Sequence, residues 1–354
     1  MGSIVAQLIT EEVIAEVGIA HRSHERGPRA TLVGLVREGI HAVGVYLGVG
    51  RIAVGHCDLN GSVTDLSALT FDLAGAPEEA VDVAIAGVAP LVADSPRLCG
   101  IGVAVPGAVD VPGHRTLVRS GPLGWRDVDV ADRFERAFRM PTLVDYNVRA
   151  MALAEHRYGR WHRPDNLLYV HLGVGVGFTF LIEGQPIRQV APRVSELGHH
   201  RVADTGPVCE CGVTGCLESL TNTRYLRTKV AEALGEVPDA GGSDALLPAL
   251  CQASDAGDEA TERVLSEFVD HLTNGMAAAV NMLGVSRIAL GGILATAPGD
   301  AHERIRHSLD TKVCAVLRKD LDVQPSPIRP HPGVLGAATA ALEHLVFHPG
   351  PVLR

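Results

Sequence analysis

The segment from Glu196 to Glu218, ELGHHRVADTGPVCECGVTGCLE, constrains this chain more than any other. It sets Cys209, Cys211 and Cys216 in one glycine-rich turn region, with a histidine at position 199 or 200 upstream. Three thiolates and an imidazole suit tetrahedral Zn²⁺. A site filled by four protein ligands is closed, so it shapes a loop and activates no water. The plainer alternative is that these are buried small hydrophobes, as free cysteines commonly are. Gly206, Pro207, Gly212 and Gly215 interrupt the segment too often for a core strand or helix, which favours the metal. A Cys209–Cys211 disulfide would strain its ring across one intervening residue.

The rest of the chain must build what this loop serves. With 354 residues, 46% of them hydrophobic, it can bury one large or two medium cores. A net charge of −10 and a pI of about 5.9 argue against a globally basic nucleic-acid binder, while leaving room for a local basic patch. No run of about eighteen apolar residues and no basic-then-apolar N-terminus occurs, so neither a membrane span nor a secretion signal is expected. Seven cysteines, an odd number with three assigned to metal, fit a reducing cytoplasm.

Along the chain, Ile4, Val5, Leu8, Ile9, Val13, Ile14 and Val17 recur at helical spacing and precede the polar run AHRSHERGPRA. From Thr31 the pattern turns to strands, TLVGLV and then AVGVYLGVGRIAVGHCDLNGSV, with a turn at Asn60-Gly61. Residues 77–97 read as an acidic amphipathic helix. Residues 98–110 read as a buried strand ending at Pro106-Gly107. Residues 121–155 give a loop, a helix, a short strand and a second helix starting near Asn147. Residues 167–188 repeat the strand, glycine turn, strand logic of 43–61, which predicts two homologous lobes. Helices dominate 219–280, apart from an insertion at 235–245. A strand at 286–294 ends in Gly291-Gly292, and a last helix covers 333–343.

Glu-Leu-Gly-His followed by Cys-x-Cys-Gly-x-x-Gly-Cys-x-Glu resembles the signature of the ROK family of repressors and sugar kinases. The resemblance covers roughly residues 31–345 and implies an α/β fold of two actin-like ATPase (ribonuclease H-like) lobes flanking a cleft. The implied organisation is a helical remnant at 1–30, an N-terminal lobe at 31–150, a C-terminal lobe at 151–345 with the zinc loop 196–218, and a tail at 346–354. The last helix is expected to close the C-terminal lobe.

The family pattern makes His199, the histidine directly after the glycine, the ligand beside Cys209, Cys211 and Cys216, with His200 a bystander. It implies sugar contacts at Glu196, His199, Glu218 and Asn147, and at Gly107 on the strand and turn edging the cleft. The N-terminal segment resembles the tail of a winged helix-turn-helix, in which His21, Arg22, His24, Arg26 and Arg29 would meet phosphates. Lacking its first two helices, such a half domain is expected to read DNA only if the missing part lies upstream of Met1.

Departures from the kinase pattern set the expected activity. Where kinases carry Asp-x-Gly-Gly-Thr-Lys at the phosphate turn, this chain has Tyr46, Gly48, Val49, Gly50 and Arg51. It thereby lacks the carboxylate that would serve magnesium. The general base falls on Asn147, an amide that can hydrogen-bond a hydroxyl but cannot take its proton, and the neighbouring amide is replaced by Tyr146. Asp145 lies two residues short of the base position, about 6–7 Å along an extended strand. Arg149 matches the regulator branch, and Val174 replaces a phosphate-turn hydroxyl.

The resulting expectation is a cytoplasmic, homodimeric or tetrameric regulator that binds a sugar-like effector. It would hold structural zinc and make no productive use of ATP and Mg²⁺. An ATP-dependent sugar kinase and a ROK-derived non-kinase recruited to another pathway are the competing readings.

Overall fold

The protein is described by a computed structural model covering residues 2–19, 31–36, 39–93, 95, 97–110, 113–187, 196–238 and 242–347. The wing residues His21, Arg22, His24, Arg26 and Arg29 lie outside this set, as does part of the insertion at 235–245.

The N-terminal segment differs from a helix running to Val17. Helix α1 (Gly2–Thr10) stops early, and Glu12 turns the chain with φ 54°. The β-branched residues Val13, Ile14 and Val17 crowd a helix but suit an extended chain. Accordingly, β1 (Ile14–Ile19) pairs antiparallel with β2 (Thr31–Leu35) in a separate two-stranded sheet. TLVGLV therefore forms a strand, but one belonging to this helix-and-hairpin module and not to the lobe that follows.

The first large sheet contains β3 (His41–Gly48), β4 (Arg51–Asp58), β5 (Val63–Thr70), β6 (Leu98–Val105) and β10 (Thr142–Tyr146), in the order β10-β6-β3-β4-β5. A three-stranded sheet of β7 (Ala108–Val109), β8 (Thr116–Ser120) and β9 (Trp125–Asp129) is inserted between β6 and β10. Its last strand lies within a stretch expected to be loop. The second large sheet contains β11 (Asn166–Leu172), β12 (Val176–Ile182), β13 (Gln185–Pro186), β14 (Arg287–Gly292) and β15 (Asp322–Pro325), in the order β13-β12-β11-β14-β15. Each sheet is an antiparallel meander of three strands with two parallel strands added beside the first. The echo between residues 43–61 and 167–188 is thus the start of a repeated topology.

Helices α2 (Pro77–Ala93) and α3 (Val130–Phe138) pack their apolar stripes on the outer face of the first sheet. The outer face of the second sheet is covered by α5 (Leu217–Thr221), α6 (Thr223–Leu234), α7 (Leu246–Asp255), α8 (Glu259–Leu283) and α9 (Gly299–Lys312), with α10 (Ala315–Arg318) after them. Between the sheets lie α4 (Asn147–Tyr158) and α11 (Pro332–Leu342).

Helix α11 packs on β3 and β6 of the first sheet, which departs from the expectation that it closes the C-terminal lobe. Two glycines provide the physical reason. A Cβ on Gly44 would lie 2.0 Å from the Val334 carbonyl oxygen, and one on Gly102 would lie 1.9 Å from that of Ala337. The alanine-rich helix can therefore approach this sheet closely. Helix α4 meanwhile packs on β11 and β12, so each central helix touches its partner and a large sheet. No helix among the described residues is long and apolar enough to cross a membrane.

Candidate functional site

The zinc-type loop folds around two glycines with positive φ, Gly212 at 89° and Gly215 at 77°. Gly212 N donates to the Cys209 carbonyl at 2.8 Å, and Cys209 N to that of Val213 at 2.9 Å, closing a tight knuckle. At Gly215 a side chain is excluded, because its Cβ would fall 2.0 Å from the Ala203 carbonyl oxygen. This folding brings His199, Cys209, Cys211 and Cys216 together, with one ligand atom of each within 4.8 Å of all the others. Cys211 Sγ lies 3.5 Å from Cys216 Sγ, and Cys209 Sγ lies 3.3 Å from His199 Nδ1. Tetrahedral Zn²⁺ with Zn–S bonds of about 2.3 Å spaces its sulfurs by about 3.8 Å, so the donor set fits that ion. His200 is exposed and outside the cluster.

The loop also presents carboxylates. His199 turns its Nε2 to Glu196 Oε2 at 3.5 Å, so one imidazole joins the cysteine cluster to the acidic side of the loop. Glu218, in the first turn of α5, accepts a hydrogen bond from Val176 N at 3.0 Å. Its carboxyl is held above the usual range, chiefly by burial and further by Glu210 and Glu196.

Opposite stands the corner from β10 to α4. Tyr146 caps the helix in an extended conformation, and Asn147 begins it. The Asn147 Oδ1 accepts from Val148 N at 3.0 Å, an interaction that points its carbonyl along its own backbone. The Asp145 carboxylate, almost fully buried, accepts from Tyr146 N at 2.7 Å and from Arg149 Nε at 2.6 Å. His114 approaches the same carboxylate at 3.9 Å. Asp145 is therefore occupied as an anchor for Arg149.

Tyr146 is buried, and a Cβ on Gly177 would lie 2.6 Å from its hydroxyl. Its phenol is held far above the ordinary tyrosine range by burial, reinforced by Glu196 and Glu218, so it stays protonated. It lines a cavity of about 270 Å³ together with Arg149 of α4 and Thr179 of β12, between the two large sheets. Gly107, at φ 132°, packs against the Arg119 carbonyl: a Cβ there would lie 2.3 Å away, so its demonstrable role is in joining β6 to β8.

The two glycine turns lack anionic side chains. Arg51 follows the first, beside the Tyr46 ring at 5.9 Å. His171, near the second, is pushed down to about 4 by burial with a contribution from Arg51, so its imidazole is neutral at physiological pH. Sequence reasoning did not single out His171. A polar residue two before a glycine turn in an otherwise apolar strand was the only available signal.

The ROK family profile matches residues 42–344. The chain belongs to the ROK family. Among its relatives is the xylose repressor of Bacillus subtilis, 23% identical over 350 residues and covering 98% of this chain and 88% of that protein. The DNA-binding transcriptional dual regulator NagC of Escherichia coli is 25% identical over 341 residues, with coverage of 94% and 82%. A solved ROK family transcriptional regulator, a homologue of the E. coli MLC protein, superposes with TM-score 0.77 at 20% identity, covering 97% of this chain and 88% of its own. The ROK hexokinase of Thermus thermophilus superposes with TM-score 0.70 at 25% identity, covering 86% of this chain and 99% of its own. Regulators thus extend along this ROK protein further than the kinase does.

Proposed function

We propose that this ROK protein is a transcriptional regulator whose two lobes bind a sugar-like effector and whose helix-and-hairpin module belongs to a DNA-reading domain. The supporting observation is that regulators align over nearly the whole chain, including a length that the hexokinase leaves uncovered. Effector binding would favour one lobe arrangement, and the difference in affinity between arrangements would be the coupling energy to DNA.

The groups assigned to the effector are Glu196, His199, Glu218 and Asn147, with Gly107 at the edge. Zn²⁺ on His199, Cys209, Cys211 and Cys216 would fix the loop bearing the first three. Its role would be structural, since the four protein ligands leave no open position. Elemental analysis returning no zinc from protein purified without chelator would remove that role.

Phosphoryl transfer is disfavoured by the corner chemistry. Asn147 cannot act as a base, and Asp145 is held by Arg149. Loss of a general base costs about 10²–10⁴ in rate. With ATP, Mg²⁺ and glucose, xylose or N-acetylglucosamine, coupled ADP-release measurements are expected to give no turnover. A rate above about 1 s⁻¹, ordinary for an enzyme, would establish the kinase reading instead. Assembly as a homodimer or tetramer belongs to the same proposal and is read by light scattering.

A further inference from the structure

We propose that Tyr146 sets ligand specificity: its hydroxyl and the Glu218 carboxylate together recognise the hydroxyls of a neutral aldose and reject phosphorylated or acidic sugars. This rests on the reading of the site as a sugar site.

The geometry begins on one strand. A Cβ on Gly175 would lie 2.7 Å from Glu218 Oε2, and one on Gly177 would lie 2.6 Å from the Tyr146 hydroxyl. Positions two apart on an extended chain point to the same side, separated by about 7 Å. The absence of side chains at both glycines thus leaves room for an acidic acceptor and a phenolic donor on one face where β12 begins. Glu218 uses Oε2 for Val176 N, and its Oε1 has no hydrogen-bond partner among the described residues. The Tyr146 hydroxyl likewise has none, although its ring is packed in the shared core between the sheets. A rigidly held donor and acceptor that leave each other unsatisfied call for a third molecule able to satisfy both.

Charge then selects that molecule. Glu196, Glu210 and Glu218 lie close enough to raise the Glu218 carboxyl, so the surroundings are acidic. Arg149, the cation nearest the phenol, is committed to Asp145. An incoming phosphate or carboxylate would meet these acids with no free guanidinium to offset them. A neutral polyol can donate to Glu218 and accept from Tyr146 at once. The phenol also sets the polarity of the contact, because an ionised form is suppressed by burial and by the neighbouring carboxylates.

The test is titration calorimetry on the full chain with D-xylose, D-glucose and glucose 6-phosphate. It compares wild type, Tyr146→Phe and Glu196→Gln. Wild type is expected to bind a neutral sugar at least about 100-fold more tightly than the phosphate ester, the consequence of placing like charges together. Tyr146→Phe, which keeps the ring, should weaken neutral-sugar binding by about three- to tenfold, the loss of one hydrogen bond. Glu196→Gln should narrow the gap between glucose and its 6-phosphate. Equal affinity of wild type and Tyr146→Phe, or tighter binding of the phosphate ester, overturns the assignment while leaving a sugar site in place. If no sugar binds any of the three proteins, the sugar-site reading itself fails, and this inference with it.

Discussion

At the scale of single residues, Glu155 shows how a polar group in the middle of the fold is made tolerable. It is 1% exposed at the end of α4, where Ser326 donates to its Oε2 at 2.5 Å and Arg160 N to its Oε1 at 3.2 Å. Burial outweighs both bonds and raises its carboxyl above the model value of 4.5. The folded state therefore binds this proton more tightly than the unfolded one. Its stabilising contribution is complete below the unfolded value and is lost as pH rises through the folded value. Glu155→Gln keeps an oxygen for one donor and carries no charge. It should gain stability relative to wild type as pH increases from about 4.5 upward, measured by urea unfolding at a series of pH values. A constant difference between the two proteins would show that the carboxyl is not protonated in the native state.

At the scale of elements, the loop 196–218 has little regular structure to hold it. Bridges Arg201–Cys216 and Val208–Thr214 and the two positive-φ glycines set its shape. Such a loop buries little apolar surface of its own, so cross-linking by metal would supply much of its order. Cys211 is the exposed member of the four, and replacing it with serine creates no cavity. Cys211→Ser is expected to lose bound zinc and to lower the melting temperature. Chelator should do the same to wild type and have little further effect on the variant. An unaltered melting temperature in both experiments would show that the loop holds itself.

At the scale of the whole molecule, the helix-and-hairpin module is joined to the first lobe by one arginine. Arg97 Nη1 donates to the carbonyls of Glu11 at 3.2 Å and Glu12 at 3.3 Å, and its other nitrogen pairs with the Glu12 carboxylate. These carbonyls follow the end of α1, where backbone acceptors lack helical partners. Arg97 immediately precedes β6, whose opposite end leads into Pro106-Gly107, so a single strand spans from the module to the site's edge. Arg97→Ala should accelerate amide exchange in α1 by about fivefold, corresponding to about 1 kcal/mol for a partly exposed set of bonds. Exchange in β3 and β4 should not change. If α1 exchanges as in wild type, the module is held by its apolar contacts alone.

What the sequence determined by itself was chemistry carried by identity and spacing: three cysteines and a histidine in a glycine-rich loop, an amide at the base position, and an apolar pattern repeated in both halves. Donor type and short-range turn geometry are local properties, so the order of residues suffices to define them. Tertiary structure decided what depended on distant partners. Val13, Ile14 and Val17 fit either a helix or a strand until β2 supplied the pairing edge. The last helix looked like a cap for the second lobe until Gly44 and Gly102 opened the first sheet to it. Asp145 and Tyr146 acquired their roles from Arg149, Gly177 and Glu218, which the fold, not the local sequence, brings to them.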